Sequence, residues 1–155
     1  MFHYRPPKTL RALFIVHYAP ILLIIMIGPI TAFFGVWEIP FLKLPTVITG
    51  ITVFLAGAFL YFKWELFWHR TYRGQLVTGG IFQYIRHPHY TSLLIVGFGL
   101  AFFFYSLFAL SIALIAIPIM IWSIFDEEKL LIRQYGDAYI EYMKKVPWRI
   151  IPRVF

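Results

Sequence analysis

The chain reads as an all-α integral membrane protein with four transmembrane helices. The last two form a C-terminal hairpin, and amphipathic helices follow it on the cytoplasmic side. Three observations predict this. The 155 residues are 61% hydrophobic and only 14% charged, where a soluble domain carries about a quarter charged residues. Uncharged apolar stretches occupy residues 12–37, 44–62 and 90–125, and a spanning helix needs roughly 20 such residues. Of the fourteen Lys and Arg, Lys43 alone falls on the far side of the resulting topology, so the positive-inside rule puts both termini in the cytoplasm. One membrane domain, 1–155, is expected, in a multi-pass protein of a prokaryotic cell membrane.

The first span, 12–37, is too long for a cleavable signal and ends in no small-residue cleavage pattern. The second is 44–62. Residues 90–125 exceed one crossing and barely supply two, which predicts a tight hairpin turning near Tyr105 and Ser106. Gly97 and Gly99 are placed for close helix approach and Pro118 for a kink in the returning helix. Trp37, Trp64, Trp68 and Trp122 fall near span ends, where amphipathic rings favour the interface. With no cysteine, disulfides and thiolate–metal sites are excluded. The net charge of +7 fits basic loops at a membrane surface, and no nucleic acid is expected.

The polar residues gather on one side, in a loop at 69–88 and a tail at 126–155. "RHPHY", Arg86 to Tyr90, reads as the entry to the third span, with Pro88 suited to a first helical turn. Backbone N–H groups there could face a carboxylate or phosphate. "TGG" at Thr78 to Gly80 permits a tight turn. In the tail, Leu131, Tyr135, Ala138, Tyr142 and Val146 recur at helical spacing, and Gly136 with Asp137 reads as a helix stop and a new N-cap. Asp126, Glu127 and Glu128 run against the basic bias of that face and could attract a cation. By residue type alone, Arg86 is also a snorkelling interfacial cation and the acidic triplet a solvated helix face. His87 and His89 do not make up a metal site, and none is expected.

The segment "LVTGGIFQYIRHPHY", followed after a hydrophobic hairpin by "EEKLLIRQYGDAYIEYMKKVPWRIIP", resembles the isoprenylcysteine carboxyl methyltransferase family, a relative of the phospholipid methyltransferases. The resemblance covers residues 76–152. It implies an integral membrane methyltransferase using S-adenosylmethionine and acting on a lipophilic or lipid acceptor that enters from the bilayer. By position, the resemblance assigns Gln75, Leu76, Val77, Phe82, His87, Pro88, His89, Tyr90 and Glu127 to the cofactor, with the loop 69–88 and the tail 126–155 closing on it. Arg86, Glu128 and Arg133 are the expected catalytic residues.

These residue types suit the chemistry. Glu127 or Glu128 can pair with the cofactor ammonium, and Arg86 or backbone N–H groups can hold its carboxylate. Aromatic faces such as Phe82 and Tyr90 can lie against adenine or the sulfonium. An amine or thiol acceptor needs a base, for which His87, Glu128 and Tyr90 are candidates. Phe82 stands where the family pattern has tyrosine, and Ser92 where a glycine commonly follows. Trp122 to Phe125 lack the arginine that prenylcysteine enzymes carry there, for which Arg133 is the expected replacement. Two other readings remain open here: a sterol-reductase-like NADPH-dependent oxidoreductase, and a non-catalytic membrane scaffold.

Overall fold

The computed structural model describes residues 8–155, with side chains described from His17 onward. The described residues form five α-helices: α1 (Lys8–Phe34), α2 (Lys43–Thr71), α3 (Pro88–Phe103), α4 (Leu107–Tyr135) and α5 (Asp137–Lys145). A single 3-10 turn, Gly80–Gln83, lies in the loop before α3. No strand occurs among the described residues. Three helices contain windows long and apolar enough to cross a membrane: His17–Phe34, Lys43–Thr71 and Leu107–Tyr135. The fourth, α3, is apolar but only 16 residues long, roughly 24 Å at 1.5 Å per residue. Outward faces are greasy: Met26, Phe33, Leu55, Phe59, Phe62 and Ile115 are all exposed. Helices apolar all round in this way are solvated by lipid rather than water.

α3 is central, with α1, α2 and α4 packed around it. Its contact with α2 is backbone to backbone. A Cβ built on Gly50 would lie 2.2 Å from the Phe103 nitrogen, and one on Gly99 2.4 Å from the Phe54 nitrogen. Small residues at a membrane helix seam work in this way. Gly99 therefore serves the expected close approach, but against α2 rather than within the hairpin. Gly97 does not: a Cβ there would meet nothing nearer than 3.8 Å.

The hairpin turns where expected. Tyr105 adopts a positive φ of 53°, and Ser106 caps α4 by accepting from the Ala109 N–H at 3.1 Å. Thr31 of α1 donates to the Ser106 hydroxyl at 2.7 Å, and Leu107 N–H donates to the Trp37 carbonyl. The far rim is thereby tied to the α1–α2 connection. α4 runs without interruption through Pro118 and on to Tyr135. The acidic triplet is thus the final part of a long helix rather than the start of a separate tail. α2 likewise continues to Thr71, so the loop before α3 begins at Tyr72.

Gly136, at φ 57°, separates α4 from α5, and Asp137 is the first helical residue rather than the cap. The break shifts the helical phase. Tyr139 and Tyr142 are buried and Ala138 is exposed, where an unbroken repeat would bury Ala138. Trp64 is half-buried between helices, with its ring 4.5 Å from that of His89.

Candidate functional site

The polar end of the bundle is held by a strap. Residues 146–150 lie along the segment before α3: Arg86 N–H donates to the Trp148 carbonyl and His87 N–H to the Arg149 carbonyl, both at 2.9 Å. Thr91 Oγ1 donates to the Ile150 carbonyl at 2.8 Å. Pro88 takes the first helical position, where its missing N–H costs nothing, and fixes the entry of α3. The RHPHY segment is thus clamped between α4 and the chain end. Arg86, His87, Pro88, His89 and Tyr90 are all buried.

Helix phase splits the acidic triplet three ways. Asp126 pairs with Lys129 at 2.9 Å in an exposed bridge. Glu128 is 4% exposed. Its Oε1 accepts from Arg86 Nε at 2.9 Å and Nη2 at 2.6 Å, with His87 Nε2 at 3.3 Å, and its Oε2 accepts from Arg149 Nε at 3.1 Å. Arg86 spends its remaining arm on the Val146 carbonyl at 2.6 Å. Glu128 is therefore saturated by two guanidinium groups. Glu127 is different. Its Oε2 accepts from the Tyr90 hydroxyl at 2.6 Å and lies 3.7 Å from His87 Nδ1. Its side chain is 25% exposed, and no hydrogen bond reaches Oε1 among the described residues.

The sequence-assigned residues thus fall into separate groups. Arg86, His87, Tyr90, Glu127 and Glu128 converge. His89 turns away into a box of rings from α1, α2 and α3: Tyr18, Tyr61, Trp64, Tyr90 and His17. Val77 and Phe82 are core residues of a second apolar cluster with Tyr139, Tyr142 and Val146, and half-buried Leu76 packs against it. Tyr142 donates to the Phe82 carbonyl at 2.6 Å. Burial raises both α5 phenols well above the ordinary tyrosine range, so they stay protonated donors. Gln75 is exposed and closes its own loop, donating to the Thr71 carbonyl and accepting from Arg73 N–H.

Arg133 is exposed near the end of α4, and no hydrogen bond joins it to Glu127 or Glu128 among the described residues. The second arginine on Glu128 is Arg149, which also lies over the rings of Phe125 and Phe155 at 4.9 and 5.2 Å. Its only trace in the sequence is a basic residue in the segment "VPWRIIP".

An open groove of about 650 Å³ runs along α4 past Pro118, Trp122, Phe125 and Lys129. Asp126, Glu128 and Met143 also line it, so the groove extends to the polar end of the bundle.

A model of the family described as phospholipid methyltransferase matches residues 44–138. The chain is 34% identical over 77 residues to protein-S-isoprenylcysteine O-methyltransferase of Schizosaccharomyces pombe, covering 46% of this chain and 31% of that protein. It is 33% identical over 78 residues to protein-S-isoprenylcysteine O-methyltransferase B of Arabidopsis thaliana, covering 47% and 38%. The matches thus span about a third of the length of these curated relatives.

Proposed function

This chain belongs to the phospholipid methyltransferase family, and from that premise we propose that it is a membrane enzyme transferring a methyl group from S-adenosylmethionine to a lipophilic acceptor. The observation that carries the reading is the contrast between two adjacent acids. Glu128 is locked by Arg86 and Arg149, while Glu127 keeps one carboxylate oxygen that no described residue bonds, beside His87 and Tyr90. A carboxylate held this way suits an ammonium group, which the methyl donor carries.

Arg86 has a different task from holding the donor carboxylate. Its Nε and both terminal nitrogens are engaged by Glu128 and Val146, so it braces the strap. The backbone N–H groups at the start of α3 remain for the donor carboxylate. Tyr90 and His87 orient Glu127, and the α4–α5 junction with the loop before α3 shields the site from water. The bound donor supplies an electrophilic methyl group on a sulfonium, so alignment of the acceptor is the main requirement. Three long apolar helices and the shorter α3, with the basic residues gathered on one side, support a reading of four spans with both termini and this site on the cytoplasmic side.

Calorimetric titration of detergent-solubilised protein with S-adenosylhomocysteine and, separately, with NADPH tests the reading. Binding of the first and not the second is expected. Binding of NADPH alone would replace the methyltransferase reading by the oxidoreductase one.

A further inference from the structure

The groove along α4 joins an apolar body to a charged end. Pro118, Ile121, Trp122, Phe125 and Ile132 follow one another at helical spacing on one side of α4, and Met143 adds a wall from α5. From Pro118 to Ile132 the helix rises roughly 21 Å at 1.5 Å per residue. The opening of about 650 Å³ is of the size that ligands occupy, roughly 300–1,000 Å³. Trp122 is exposed, and an exposed indole ring favours the membrane–water boundary. Pro118 and Ile121 then lie on the hydrocarbon side of that boundary, and Asp126 and Lys129 on the headgroup side.

The charged end has cationic capacity to spare. Two guanidinium groups share the one Glu128 carboxylate, and Glu127 turns to Tyr90 and His87 instead. Of the two arginines, Arg149 stands at the groove. It lies 4.9 Å over the ring of Phe125, a lining residue, and 5.2 Å over that of Phe155. Its Nε and Nη2 both reach Glu128 Oε2 at 3.1 Å, and no described residue bonds its Nη1. Lys129 follows Phe125 by four residues and so shares its face of α4. Its bond to Asp126 is an exposed pair, which contributes little and is readily exchanged.

We propose that this groove seats a phospholipid with an anionic headgroup, which steadies the strap and is not the methyl acceptor. One acyl chain lies along Pro118, Ile121 and Trp122, and the phosphate lies between Lys129 Nζ and Arg149 Nη1. Among the described residues, the strap has one hydrogen-bonded link to α4, Arg149 to Glu128. A phosphate held from both elements adds a second. The headgroup follows from charge. Arg133, Lys144 and Lys145 are exposed nearby on the end of α4 and on α5, so a headgroup carrying its own cation is disfavoured there and an anionic one is drawn in.

Limited trypsinolysis of the protein in nanodiscs reads the bridge. The measure is the rate of cleavage after Lys145, beside the strap, relative to that after Arg73, in the loop before α3. This ratio should be about 10-fold lower in phosphatidylglycerol than in phosphatidylcholine, the effect of two basic contacts on one lipid. Lys129→Gln should show the same ratio in both lipids. Trp122→Ala removes an exposed wall of the groove and should shrink the difference to less than about threefold, at unchanged melting temperature. In native mass spectra the wild type should retain phosphatidylglycerol over phosphatidylcholine, and Lys129→Gln should show no preference. An equal ratio in the two lipids for wild type, or a difference that persists in Lys129→Gln, would overturn the proposal. Protection in phosphatidylcholine that grows with the number of copies per disc would also overturn it, placing a second copy of the chain in the groove.

Discussion

Replacing Arg86 by lysine keeps the charge and removes the fork. In the structure the guanidinium makes three short bonds at once: two to Glu128 Oε1 and one, at 2.6 Å, to the Val146 carbonyl. An ammonium on a four-carbon stem cannot reach both partners in that geometry. One buried acceptor is then left short. Loss of a charge-assisted bond in a buried setting amounts to about 2–3 kcal/mol, or roughly 30- to 160-fold in the population with the strap detached. The strap follows Lys144 and Lys145, both exposed, so trypsin reads its release directly. Arg86→Lys should be cut after Lys145 faster than wild type by a factor of that order, and its affinity for S-adenosylhomocysteine should fall in parallel as Glu127 loses its setting. A snorkelling arginine would accept lysine without consequence. Unchanged cleavage and unchanged affinity in Arg86→Lys would refute the bracing role.

Other expectations follow from the same geometry. Glu127→Gln should weaken S-adenosylhomocysteine binding by about 2–3 kcal/mol in calorimetry, the worth of a charge-assisted bond. Asp126→Asn, which breaks only an exposed pair with Lys129, should leave that binding unchanged. Cysteine introduced at Lys43 should react with an impermeant reagent from outside intact cells and cysteine at Arg73 should not; equal labelling would sink the four-span topology. Gly99→Val places a side chain 2.4 Å from the Phe54 backbone and should destabilise the protein by at least about 1–3 kcal/mol, read as a lowered melting temperature, whereas Gly97→Ala should be tolerated.

Much of the helical architecture was legible because it follows from composition and period. The apolar stretches at 12–37 and 44–62 became the bodies of α1 and α2, and the hairpin turned at Tyr105 and Ser106. Helix ends were less legible. Lys63 to Thr71 and Asp126 to Tyr135 contain charge, so hydropathy stopped short, but good helix formers carried α2 and α4 onward. In the site, the motif brought out Arg86, His87, Tyr90, Glu127 and Glu128, which sit together. The resemblance put Glu127 against the cofactor, but residue type could not show that Glu128 is held by arginines, because that depends on which side of α4 meets the strap. Arg149 stands inside the quoted segment, but its meeting with Glu128 is set by long-range packing that no local pattern encodes.

The arrangement of Arg86, Glu128 and Arg149 is better understood as positioning than as stabilisation. A buried ion pair pays desolvation for both partners, and apolar replacements of similar shape are often as stable. Here the cluster is buried where α4 ends and the strap crosses α3, a place apolar packing could fill. What apolar packing could not supply is direction. Two guanidinium groups pin Glu128 from both of its oxygens, which fixes the rotation of α4 about its axis at that turn. Glu127, one residue earlier, is thereby aimed at Tyr90 and His87 with one oxygen to spare. The cluster's cost is spent on one neighbouring carboxylate, and that is the pattern expected when the carboxylate, rather than the cluster, meets the ligand.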